Sequence, residues 1–242
     1  MNSLERDLDM IRFQETSERK NCSELPSSTG FQDIKPTGSL SNEEALSFLT
    51  GLFSVDPEIR DMHAADEENL LTEIFGRSEN EFDFNFEVDN EIQTVLHRFA
   101  PTKWEKMSGE EKETTISELV AVIGRKLGLD ENPTVHYYDG QNGSYGAYLP
   151  EKNCIEINRG TLFDAKEVVD TVAHEMRHAY QYQRAMCCET MQDKLYLLNF
   201  ENYISPIPLS DGKYLLFTDY QDQLVEAEAR AFANLFTSKE AA

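Results

Sequence analysis

The chain has 242 residues, enough for one sizeable core with or without a small appendage. Its 45 acidic and 22 basic residues give a net charge of -23, a field that repels phosphate backbones and speaks against a nucleic-acid partner. Mean hydropathy is -0.54, no stretch approaches the roughly 20 apolar residues that cross a bilayer, and the N-terminus is charged throughout, so a cytoplasmic protein with no membrane partner is expected unless a specialised system exports it.

The acidic charge is front-loaded: residues 1–90 hold 21 acids and 7 bases, against 24 acids and 15 bases in the remaining 152 residues. Residues 1–40 carry charge, Ser, Thr, Pro and Gly with no apolar period, and read as a flexible acidic segment. Ser41 and Glu44 form a capping-box pattern ahead of a helix over 42–53, and Asp56-Pro57 opens another that ends near Gly76. Residues 81–89, EFDFNFEVD, place Phe82, Phe84, Phe86 and Val88 alternately with acidic or polar residues. That period-2 pattern suits an edge strand or an extended arm on the core, or else a segment that covers a groove and regulates access. Residues 41–89 are accordingly an accessory region, and 90–242 the main domain.

Within that domain, helices are expected over 90–100 and 109–127, joined across Pro101. Ile116, Leu119, Val120, Ile123 and Leu127 give the second a continuous apolar face, and Gly128 supplies its stop. Short strands at 134–138, 144–149 and 153–158, with DGQNG and PEK as turns, predict an antiparallel meander. A long helix follows over 164–184, then an irregular Pro-containing stretch, then a final helix over 219–237. The class is α+β. The four cysteines, Cys22, Cys154, Cys187 and Cys188, form no CxxC pair and fit reduced thiols, although Cys187 and Cys188 follow the long helix closely enough to be weighed as metal contacts.

The long helix contains His174-Glu175-Met176-Arg177-His178. Side chains four apart share a helical face, so both imidazoles can reach one zinc ion, while Glu175 beside that face can act as general base toward a water activated by the ion. Val168, Val169, Val172, Met176 and Ala179 supply the core face that mounts these groups. Catalytic zinc usually takes three protein ligands. His63, His97 and His136 lie far upstream, whereas the last helix offers Glu226 and Glu228 among small residues that permit close packing on the motif helix.

HEMRHAYQ followed downstream by EAEARAFA resembles the gluzincin metallopeptidases, and in its order of elements the compact minigluzincin-type proteins of bacteria. The resemblance implies a zincin-like domain with N-terminal helices, a small mostly antiparallel sheet, the HExxH helix and a C-terminal glutamate helix. It also implies a Zn2+ cofactor and a peptide or protein substrate. By that likeness Glu226 is the third ligand and Glu228 the second choice. Tyr214 and Tyr220 are candidates to stabilise an oxyanion, and Asp170 and Glu228 to orient an imidazole. An edge strand, 144–149 or 153–158, would hold the peptide, with Gly146 permitting close approach. Two departures stand out: many gluzincins carry Asp four residues after the ligand glutamate, where this chain has Arg230, and the zincin consensus prefers uncharged residues where Arg177 stands. They leave open a zinc-binding regulatory module without catalysis, and the small size and acidic front leave open a protease toxin or effector. Residues 1–89 could also serve as a pro-segment.

Overall fold

The computed structural model describes residues 73–140, 145–208 and 214–237. The expected helix over 42–53, most of the one before Gly76, and Cys22 and His63 fall outside these residues.

Residues 82–88 contribute no strand. They run extended after a single 3-10 turn at Glu79–Glu81 and lie along the core as an arm. Phe84 and Phe86 meet the Phe232 ring edge-on, with centroids 5.5 and 4.8 Å away. The greasy side of the alternating pattern is thus half-buried on the core, with Phe84 and Phe86 against the last helix, and the acidic side faces solvent.

Helix α1 (Asn90–Leu96) starts on Asp89, whose carboxylate accepts from the Glu91 and Ile92 amides. It gives way to a 3-10 turn at His97–Phe99 and a short α2 (Pro101–Trp104), shorter than the expected 90–100 helix because Pro101 cannot continue the preceding ladder. Helix α3 (Gly109–Leu127) has the predicted bounds. Ser108 and Glu111 form a reciprocal capping box, and Gly128 closes the helix in the left-handed region at φ 72°.

The sheet departs from the expected meander. Strands β1 (Thr134–Tyr138), β2 (Gly146–Leu149) and β3 (Cys154–Asn158) stand in the order β1-β3-β2, with β3 parallel to β1 and antiparallel to β2. Only the PEK turn makes a hairpin, through a 3-10 turn at Pro150–Lys152 and a left-handed Asn153 at φ 44°. β2 is an excursion to the outer edge, and β3 returns to the centre.

Helix α4 (Ala165–Cys187) carries the motif and lies against β2, β3, α3 and the helices that follow. Asp164 caps it by accepting from the Lys166 and Glu167 amides. Gly146 is where β2 meets α4: a Cβ there would stand 2.7 Å from the Glu156 carbonyl oxygen and 2.9 Å from Thr171 Cγ2. The missing side chain admits the fold's own neighbours.

The stretch after α4 is not wholly irregular. It holds α5 (Met191–Glu201), capped by a Thr190–Asp193 box, then a small ribbon of β4 (Ile207–Pro208) and β5 (Tyr214–Leu215). The expected 219–237 helix divides into α6 (Phe217–Gln221) and α7 (Leu224–Thr237). The α4–α7 pairing is the most extensive of any two elements. One apolar cluster joins α3, the sheet, α4 and α7 around Ile123, Ile155, Val172, Met176 and Phe232; a second joins α5, α6 and the start of α7 around Tyr196, Tyr203, Tyr220 and Val225. At about 1.5–3 kcal/mol for each large apolar side chain removed from water, these two clusters hold α4 rigidly between sheet and α7.

Candidate metal centre

Helix periodicity puts His174 and His178 on one face of α4, and α7 crosses that face with Glu226. The two imidazoles meet with Nε2 atoms 3.0 Å apart. Glu226 Oε2 lies 3.4 Å from His174 Nε2, and Oε1 lies 3.3 Å from His178 Nε2. All three residues are at least 97% buried. Among the described residues they form the one group of His, Cys, Asp or Glu side chains placed to share an ion; Cys154, Cys187, Cys188, His97 and His136 do not join it.

The donor set is of a kind that holds zinc or another divalent metal. Bonds of roughly 2.0–2.1 Å at tetrahedral angles put donors about 3.3 Å apart; the two imidazole nitrogens stand 3.0 Å apart, and each has a different Glu226 oxygen within 3.4 Å. Two imidazole nitrogens and a carboxylate are thus buried within reach of one another. Burial alone would depress the His178 pKa, but the Glu226 carboxylate, helped by Glu175 and Gln181, pushes it up to about 9. Burial would likewise raise Glu226, but the charge of His178 and hydrogen bonds from both histidines hold it well below the usual carboxylate range.

Further groups fix these three. Tyr203 OH donates to Glu226 Oε1 at 2.7 Å, and Tyr220 OH donates to Oε2 at 2.6 Å. Tyr220 therefore reaches the cluster through the carboxylate. Tyr214 sits on β5 with its ring 6.3 Å from that of Phe217. Glu228, two residues on, accepts from Arg177 Nη2 at 2.7 Å, Tyr196 OH at 2.8 Å and Gln181 Nε2 at 2.7 Å. Gln181 Oε1 lies 2.9 Å from His178 Nδ1. Asp170 is one turn before His174 on α4 and buried.

The two departures from the gluzincin pattern now have partners. Arg177 pairs with Glu228, and its guanidinium carbon lies 4.4, 5.0 and 5.4 Å from the ring centres of Tyr180, Phe84 and Phe232. A charge in the middle of the motif is thus housed against aromatic faces. Arg230 bonds Glu79 through Nε at 2.7 Å and the Gln221 carbonyl through Nη2, tying α7 to the arm and to α6.

Glu175 is 3% exposed, and its Oε2 accepts from the Tyr148 amide of β2 at 2.8 Å. The register explains why that amide is available. The Asn158 amide bonds the Tyr145 carbonyl, so in the alternating antiparallel ladder the amides of Gly146 and Tyr148 turn away from β3. Sequence reasoning missed Gln181, Tyr196 and Tyr203. Gln181 had a signal, since it stands one turn beyond His178; the tyrosines reach the site only through tertiary packing.

A family model described as "Putative metallopeptidase family (DUF6782)" matches residues 118–200. The chain is thus similar to a metallopeptidase family over a segment that runs from within α3 to α5 and includes His174, Glu175 and His178, but stops before Glu226. No curated protein and no solved structure matches the chain.

Proposed function

We propose that this chain is a zinc-dependent metallopeptidase that hydrolyses peptide bonds, with His174, His178 and Glu226 as ligands and Glu175 as general base. The observation that carries the reading is the convergence of two imidazole nitrogens and one carboxylate at separations of 3.0 to 3.4 Å, next to a fourth ionisable group. The metallopeptidase family match over residues 118–200 supports the same reading. Bound there, zinc would supply Lewis acidity to polarise a carbonyl and to activate water.

The protein's own groups set up the rest. Glu175 accepts a proton from the attacking water and delivers it to the departing amine, and the Tyr148 amide fixes one carboxylate oxygen for that task. Tyr203 and Tyr220 hold both Glu226 oxygens, so the ligand carboxylate cannot rotate out of the cluster. β2 is the strand at the sheet's outer edge, the position at which an extended peptide adds by backbone pairing, although the strand is buried along its length and its Tyr148 amide is engaged by Glu175.

A second reading, a zinc-stabilised module with no turnover, draws on the near-complete burial of Glu175. Turnover of a peptide library separates the two: zinc-loaded wild type cleaves and Glu175→Gln does not, while both keep the metal. Equal cleavage by both proteins would sink the mechanism, and no cleavage by zinc-loaded wild type would favour the second reading.

A further inference from the structure

Resting on the metal site proposed above, we infer that Gln181, Glu228 and Arg177 are positioning residues that select the metal-binding tautomer of His178. A ligating imidazole needs a lone pair on the nitrogen that faces the ion, and which nitrogen carries the proton is decided by the partner of the other one. Here the other one, Nδ1, faces a side-chain amide: Gln181 Oε1 at 2.9 Å.

An amide can present either an acceptor or a donor, so the orientation of Gln181 decides the outcome. Its Nε2 points at two acceptors, the Val225 carbonyl at 3.0 Å and Glu228 Oε2 at 2.7 Å. The carbonyl can only accept, and the Glu228 carboxylate already accepts from Arg177 and Tyr196. The NH2 group is therefore committed to α7, and Oε1 is left to accept from His178 Nδ1–H. Nε2 of His178 then carries its lone pair toward His174 and Glu226.

Two donors fix the other Glu228 oxygen as an acceptor. Arg177 Nη2 and Tyr196 OH both reach Oε1, at 2.7 and 2.8 Å, leaving Oε2 for Gln181. Glu228, Arg177, Gln181 and Tyr196 are all at least 92% buried, so water does not compete for these bonds. The charged residue inside the motif is thus the counter-ion of a carboxylate that acts on a ligand through a glutamine. Where a carboxylate would bond a ligating imidazole directly, this chain places one residue further away and relays it.

The isosteric Glu228→Gln change tests this without touching a proposed ligand. Arg177 and Tyr196 would keep the new amide oxygen, turning its NH2 toward Gln181. Gln181 would then be driven to present its oxygen to residue 228 and its NH2 to His178 Nδ1, which selects the wrong tautomer. Full-length wild type, Glu228→Gln, Gln181→Met and, as a stability control in the first apolar cluster, Ile116→Val are compared by chelator competition for zinc and by thermal unfolding of the zinc-free proteins. The expected result is zinc affinity about 10–100-fold weaker in both network variants and unchanged in Ile116→Val, even where its melting temperature falls further. In the zinc-loaded wild type, the His178 Nδ1–H proton should exchange slowly with solvent, and faster in both network variants. Wild-type affinity within twofold in Glu228→Gln overturns the inference, and that variant decides if Gln181→Met does not fold. A wild type that takes up no zinc overturns the functional reading beneath it as well.

Discussion

Replacing Gly146 with alanine probes how the fold mounts the site. Its φ is not positive, so alanine meets no backbone penalty there, and the stiffer unfolded chain gains about 0.4–1 kcal/mol. The added methyl, however, lands 2.7 Å from the Glu156 carbonyl oxygen and 2.9 Å from Thr171 Cγ2. Neither neighbour gives easily: one is backbone in the central strand, and the other is a β-branched side chain on α4. Overpacking of this kind costs about 1–3 kcal/mol, and the 2.7 Å approach to backbone puts this case in the upper half of that range, leaving a net destabilisation of roughly 1–2.6 kcal/mol. Urea unfolding of the zinc-free proteins measures it as a lower midpoint at unchanged slope. Relief of the clash also moves β2 off α4, so the Tyr148 amide loses its 2.8 Å bond to Glu175. Turnover should therefore fall while zinc affinity stays put. An unfolding midpoint equal to wild type would refute the packing argument, and full turnover in a destabilised variant would refute the link from β2 to Glu175.

Three further outcomes are expected. Glu175→Gln should keep zinc and lose activity by about 10²–10⁴-fold, the usual worth of a general base, read as kcat on any cleaved peptide. Phe232→Ala removes a fully buried ring that touches Phe84, Phe86 and Phe236; a loss of about 3–5 kcal/mol is expected in urea unfolding, and a loss below 1 kcal/mol would mean that the arm is not seated there. Tyr203→Phe deletes one donor to Glu226 without changing shape, and zinc affinity should weaken about 10-fold or more in chelator competition; an unchanged affinity would show that Tyr220 alone holds the carboxylate.

Much of this architecture is legible in the sequence where the signal is local. The apolar face of α3 and the Gly128 stop define that helix from local residues alone, and in the structure Ser108 with Glu111 caps its start. The alternation in 81–89 marks a one-sided extended segment, but alternation does not say whether a partner strand exists; the arm packs on α7 instead. The meander failed because turn residues report where a chain reverses, not which strand it then pairs with: β3 pairs in parallel with β1 across the β2 excursion. α5 escaped notice because its buried residues, Asp193, Leu195, Tyr196, Leu198 and Asn199, mix polar with apolar and give no clean helical stripe.

At the site, the helical spacing of His174 and His178 is visible in the motif itself, and the small residues of α7 bring Glu226 within 3.4 Å of both. The sequence offers Glu228 as a group to orient an imidazole, but its pairing with Arg177 is not legible there, since that arginine alone reads as a surface charge. The pairing becomes intelligible only when α4 and α7 cross and bury the two residues together. Tyr203 and Tyr196 belong to the same class, as aromatic residues whose hydroxyls matter because the second cluster turns them inward.

Metal content bears most directly on the central claim. Mass spectrometry of freshly purified and zinc-titrated protein should find about one zinc per chain in wild type and none retained by Glu226→Ala. Wild type that holds no zinc and takes up none on titration would contradict the account, leaving the convergence of His174, His178 and Glu226 as a buried proton-sharing cluster without a metal.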